Sequence, residues 1–316
     1  MSDLKAWQLL LALSLCAAPL CAADTGGDTV GADWSRLDAD ARSTGLASAM
    51  TAEGGGLSSL GSNPAGLASL RRITLDAGFL SWVEGSSLQT LRVGLPWGPG
   101  ALALSADSFN AGSVERVAVN PGGGNPTLQG DVNLFFLRLG LTWAQELGPT
   151  RLGLGLHVLD QNLDGNAAWG PSLDLGMSTR TPLPGFSLGA AALSLGPSLQ
   201  GAALPRGWRL GAAYEAPFIP DLTLSTDYET LIDDPSSGLV DVGLELRVHA
   251  NFTLRGGLKL GPSGTAQGYS AGASFRAGPV SLHYAYQQLS SLDASQGLSL
   301  DYAFEDRAGP NTAAGR

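Results

Sequence analysis

The chain has 316 residues and a formal net charge of -10; only 15% of its residues are charged and 44 are glycine. An average soluble domain carries about 25% charged residues, so this composition is thin in charge and rich in backbone freedom. The acidic balance, 28 Asp and Glu against 18 Lys and Arg, excludes the clustered cations that a nucleic-acid partner requires.

Met1-Ser2-Asp3-Leu4-Lys5 precedes an apolar run from Ala6 to Leu15 and then small residues, the layout of a secretory signal peptide. Cleavage after Ala23 would start the mature chain near Asp24. Both cysteines, Cys16 and Cys21, leave with residues 1–23. Leu15 and Leu20 stand where a lipoprotein would need a small residue before its modified cysteine. The mature chain then has no disulfide framework and no thiolate metal site. Beyond the leader no apolar run reaches the roughly 18 residues of a spanning helix.

Residues 24–70 do not alternate. They read as a loop, a short helix around Asp38 to Met50, and a glycine-rich stretch ending in Ser62-Asn63-Pro64-Ala65-Gly66-Leu67. Placed before the first strand, this segment is expected either to plug a barrel or to hang in the periplasm.

From Ile73 onward apolar residues recur at every second position between Gly, Pro, Asp and Ser clusters, the period of strands. Trp208, Leu210, Ala212 and Tyr214 fall on one face, and Arg209, Gly211, Ala213 and Glu215 on the other. The split recurs in Val240/Val242/Leu244/Leu246 against Asp241/Gly243/Glu245/Arg247, and in Phe252/Leu254/Leu258/Leu260 against Thr253/Arg255/Gly257/Lys259. The second face is small and polar, as a barrel lumen would be. Arg138, His157, Asp174, Asp227 and His283 belong to it as well. About fourteen segments begin near Ile73, Leu88, Ala101, Val132, Leu152, Leu173, Phe186, Trp208, Leu222, Leu239, Phe252, Tyr269, Val280 and Leu298, an even number. Tight turns such as Pro96–Gly100 and Arg276–Pro279 alternate with longer loops: Asn110–Gln129, Asp160–Pro171, Gly196–Pro205, Glu229–Gly238 and Leu289–Gln296. The fold class expected is an all-β transmembrane antiparallel barrel in a bacterial outer membrane, spanning residues 71–304, with a tail over 305–316.

Ser62-Asn63-Pro64-Ala65-Gly66-Leu67-Ala68 resembles the Asn-Pro-Ala-Gly-Leu motif of the PorV/PorQ family, relatives of the fatty-acid channel FadL. Upstream, Ala41-Arg42 with Gly45-Leu46 is similar to that family's Ala-Arg then Gly-Met-Gly segment, with Leu46 for Met and Ala47 for Gly. Leu204-Pro205 before Arg209-Leu210-Gly211, Leu254-Arg255-Gly256-Gly257, and His283-Tyr284-Ala285-Tyr286 resemble three later passages in the same order. The resemblance implies a FadL-like barrel with a plugging N-terminal segment. It also implies a client-binding or scaffold role in type IX-like protein secretion, with client proteins or machinery subunits as partners. The alternative it carries is transport of hydrophobic small molecules, as in FadL itself. The plug motif Asn63, Pro64, Ala65 and Gly66 is the candidate contact for either cargo.

Catalytic signals are weak. Gly268-Tyr269-Ser270-Ala271-Gly272 has nucleophile-elbow spacing, but no helix follows it. Ser281 and His283 share a strand face, yet sequence names no third group to orient the imidazole. The histidines His157, His249 and His283 lie far apart, in no zinc spacing. The acidic stretch Asp233–Gly238 lacks the alternating ligands of a calcium loop. No cofactor or metal and no enzymatic activity is expected, outer-membrane lipid is the constant partner, and a hydrolase would have to rest on Ser270 or Ser281.

Overall fold

A computed structural model describes residues 32–118, 127–163, 165–262, 267–290 and 294–305. The leader and residues 24–31, the tip of the Asn110–Gln129 connection (119–126), and residues 306–316 lie outside that set. Fourteen strands close on themselves, each antiparallel to its neighbours in chain order, with the first paired to the last.

The strands are β1 (Thr74–Ser81), β2 (Ser87–Trp97), β3 (Gly100–Ala118), β4 (Thr127–Leu147), β5 (Thr150–Leu163), β6 (Asn166–Arg180) and β7 (Phe186–Leu195). They continue as β8 (Gly207–Glu215), β9 (Leu222–Leu231), β10 (Leu239–His249), β11 (Phe252–Leu260), β12 (Gly268–Ala277), β13 (Val280–Leu289) and β14 (Ser295–Ala303). Closure leaves no free edge, which a backbone in lipid requires. Two-residue turns join β2 to β3, β4 to β5, β10 to β11 and β12 to β13 at one end, the periplasmic end of such barrels.

The period-two pattern sorts side chains by solvent. Leu91, Leu104, Leu139, Leu156, Leu210, Leu244, Leu258 and Leu300 point outward and are exposed. Aromatic residues flank this apolar band. Trp97, Trp143, Phe252, Phe275 and Phe304 lie toward the tight-turn end, and Phe135, Tyr228 and Tyr269 toward the other. Such girdles sit at the two membrane interfaces.

Three expectations change. Asp160–Pro171 is not a long loop: β5 and β6 run on to Leu163↔Asn166, so the connection is two residues long. Pro171 disguised the strand. It pairs only with Val158 on β5, because β6 meets β7 no earlier than Leu173↔Leu195, and its missing N–H is owed to no ladder on that side. In the same way β3 and β4 extend to 19 and 21 residues, about twice the 9–11 that span a bilayer. The helix expected over Asp38–Met50 shrinks to α1 (Ala41–Gly45), capped by Asp40, whose carboxylate accepts from the Ser43 N–H. Ala47 and Ser48 then take positive φ and turn the chain.

Residues 32–70 lie inside the barrel as α1 and three short 3-10 turns. Leu46, Ala49, Met50, Asn63 and Ala65 are fully buried there.

Candidate functional site

The lumen is a layered interior built around this inserted segment. At its centre the turn Asn63-Pro64-Ala65-Gly66 meets the wall backbone. The Asn63 amide Nδ2 donates to Thr51 O at 2.6 Å and to Met177 O on β6 at 3.0 Å, and its Oδ1 accepts from the Ala65 N–H at 3.0 Å. The wall makes room with glycines: a Cβ on Gly176 would lie 2.0 Å from Asn63 Oδ1, and one on Gly153 2.3 Å from the Pro64 carbonyl carbon. Gly153 and Gly176 face each other in the β5–β6 register.

Charged lumen residues hold the rest. Asp227 accepts from the Met50 and Thr51 N–H groups, both at 3.0 Å, and from the Thr51 hydroxyl at 2.6 Å. Arg209 donates to Ser48 O at 2.8 Å and pairs with Asp241 and Glu229. Glu245 receives Arg42 of the inserted segment at 2.9 Å and Arg255 of β11 at 2.5 Å. Arg42 also pairs with Glu53 at 2.8 Å, and burial raises Glu53 above the usual carboxylate range while that guanidinium works against it. Arg138 pairs with Asp107 and donates to Ser35 O. Each pairing offsets the desolvation that an isolated buried charge would suffer.

Of the other lumen residues read from sequence, His157 lies 2.9 Å from Asp174, whose second oxygen accepts from the Ser194 N–H at a bulge in β7. Glu215 lines the periplasmic mouth, and among the described residues no side-chain hydrogen bond or ion pair joins it to the inserted segment. His283 is bonded on both ring nitrogens: Ser274 Oγ stands 2.5 Å from Nδ1, and Asp301 Oδ2 2.9 Å from Nε2. Ser270 instead donates to Gly45 O, and Ser281 accepts from Arg276 Nε. Neither serine singled out by sequence meets the histidine. The missed pair, Ser274 and Asp301, was reachable by register: Ser274 and His283 each lie three residues from the Ala277–Val280 pair that closes the two-residue turn.

A vestibule and a packed apolar cluster flank the inserted segment. On the periplasmic side a vestibule of about 960 Å³ is lined by polar groups, among them Arg42, Glu53, Arg151, Glu215, Arg276 and His283. On the opposite side lies an apolar cluster. Leu80, Leu88, Phe109, Phe136 and Leu159 point inward from β1 to β5, with Leu199 and Leu204 from the β7–β8 connection. Trp34 stacks against Phe109 and Phe136 at ring-centroid separations of 6.0 and 5.7 Å. Large inward-facing apolar residues are otherwise out of place in a lumen built of charge pairs.

An outward apolar band between aromatic girdles, a closed ladder and a filled lumen define a fourteen-strand outer-membrane β-barrel. Solved structures share this fold, among them the following two. The CymD monoaromatic hydrocarbon channel is 13% identical, with 84% of this chain and 97% of that one covered and a TM-score of 0.62. The P. putida toluene transporter TodX is 12% identical, with 84% and 98% covered and a TM-score of 0.62. No protein-family model and no curated protein matches the sequence. The likeness is therefore one of fold, and no comparison singles out the PorV/PorQ branch.

Proposed function

We propose that this barrel passes small hydrophobic molecules, with single-ring aromatics as the best-fitting class, from the cell surface into the outer membrane or periplasm. The observation that carries the reading is the packed apolar cluster around Trp34 inside the barrel. The indole and the two phenyl rings form a mutual triangle with centroids 5.7, 6.0 and 6.0 Å apart, a surface whose chemistry matches a planar aromatic, and burying such a ring is favourable by about 25 cal/mol per Å² of apolar surface. The two hydrocarbon channels of the same fold support it. The test is a fluorescence or calorimetric titration of the detergent-extracted barrel with toluene. Saturable binding, weakened at least about tenfold by Phe136→Ser, agrees with the loss of one buried aromatic contact; the absence of saturable binding to the native chain would remove the proposal.

A second reading, a client-binding barrel in protein secretion, is favoured by the Asn63–Leu67 motif and by the length of β3 and β4, which carry their hairpin well past the bilayer. Co-purification of secreted proteins from outer membranes, abolished by trimming that hairpin, would favour it over transport.

A further inference from the structure

We propose that Ser274, His283 and Asp301 form a nucleophile, base and orienting carboxylate that hydrolyse anionic carboxylic esters in the periplasmic vestibule. The three residues stand on the adjacent strands β12, β13 and β14, all facing the lumen, and all three line the vestibule. Ser274 Oγ–H donates to His283 Nδ1 at 2.5 Å, and His283 Nε2–H donates to Asp301 Oδ2 at 2.9 Å. The carboxylate thereby fixes the tautomer that leaves Nδ1 free to accept the serine proton, the arrangement a serine nucleophile needs.

A fourth group completes the chemistry. Arg255 Nη1 donates to Ser274 Oγ, while its Nε is held by Glu245. Backbone N–H groups on these strands are committed to the barrel ladder, so an oxyanion must be met by side chains, and this guanidinium already sits at the nucleophile. Substrate charge follows from Arg276. It lies on β12 two residues from Ser274 toward the mouth and donates to Ser281, and among the described residues it forms no ion pair with a carboxylate. An unpaired cation at the entrance selects an ester carrying a carboxylate or phosphate. The vestibule volume of about 960 Å³ suits a small-molecule substrate.

In the acylation step Ser274 Oγ forms a bond to the ester carbonyl carbon, and its proton passes to His283. The carbon–oxygen bond to the alcohol then breaks, and His283 returns the proton to that alkoxide, releasing the alcohol. Water adds to the acyl-serine, His283 takes its proton and gives it back to Oγ as the carboxylic acid departs. No oxidant, reductant or further reactant enters. His157 offers no such site: its ion-pair partner is Asp174, and among the described residues no serine hydroxyl hydrogen-bonds its ring.

The test uses the full chain in detergent with two chromogenic probes, anionic 4-nitrophenyl succinate and neutral 4-nitrophenyl butyrate. Native protein should release nitrophenolate, faster from the anionic ester. Ser274→Ala and His283→Gln should each lower kcat/KM at least about 100-fold, and Arg276→Gln should lower kcat/KM for the anionic ester more than for the neutral one, erasing the preference for the anion. A fluorophosphonate should label Ser274, with loss of fluoride, in native protein but not in His283→Gln. Folding of each variant is read from its shifted gel mobility before and after boiling. Native protein that neither turns over an ester nor accepts the label, or activity that survives in folded Ser274→Ala, overturns the proposal.

Discussion

Asp227→Ala isolates what the wall contributes to holding the inserted segment. The carboxylate accepts the Met50 and Thr51 N–H groups and the Thr51 hydroxyl, and lies 3.4 Å from Arg209. The hydroxyl can rotate, and Arg209 keeps Asp241 and Glu229. The loss therefore falls on two buried amides without an acceptor, at about 1–3 kcal/mol each, or about 2–6 kcal/mol together. Asp227→Asn keeps one acceptor oxygen and should cost less than half as much. Glu215→Ala, at the vestibule wall, should stay within about 0.5 kcal/mol of native. Urea titration of the barrel folded in lipid vesicles reads the stability, and limited proteolysis reads release of residues 32–70. An Asp227→Ala barrel within about 1 kcal/mol of native, its inserted segment equally protected, would refute the reasoning.

Gly176→Val places a side chain where Asn63 Oδ1 now sits and should cost about 1–3 kcal/mol by overpacking, measured by the same titration. Leu244→Arg puts a cation on the lipid face and should lose about 2–4 kcal/mol, whereas Thr253→Arg, facing the vestibule, should lose little; equal losses would mean the faces are wrongly assigned. N-terminal sequencing of the membrane-extracted protein should begin near Asp24, and recovery in the soluble periplasm would contradict the barrel.

Alternation made the wall readable. Trp208–Glu215 and Val240–Arg247 assign their own faces, because each strand meets two solvents and side chains switch at every residue. Two-residue turns then fix register for the hairpins they close, so β11 and β13 start at Phe252 and Val280, where the sequence reading puts them. The interior was less legible, since its partners are remote. Arg42 meets Glu245 across 203 positions and Thr51 meets Asp227 across 176, and no local pattern announces either. Sequence placed Asn63 to Gly66 as a turn of interest but gave no sign that Gly153 and Gly176 shape the wall to receive it. The helix around Asp38 to Met50 was overextended because Ala47 and Ser48 adopt positive φ without a glycine to signal it.

Ionic conductance of single barrels in planar bilayers, with and without residues 32–70, tests the filled lumen most directly. The native chain should stay closed to ions between its apolar cluster and its vestibule, and the shortened chain should conduct in discrete steps. Equal conductance from both would place the segment outside the permeation path and contradict the plugged barrel on which this account rests.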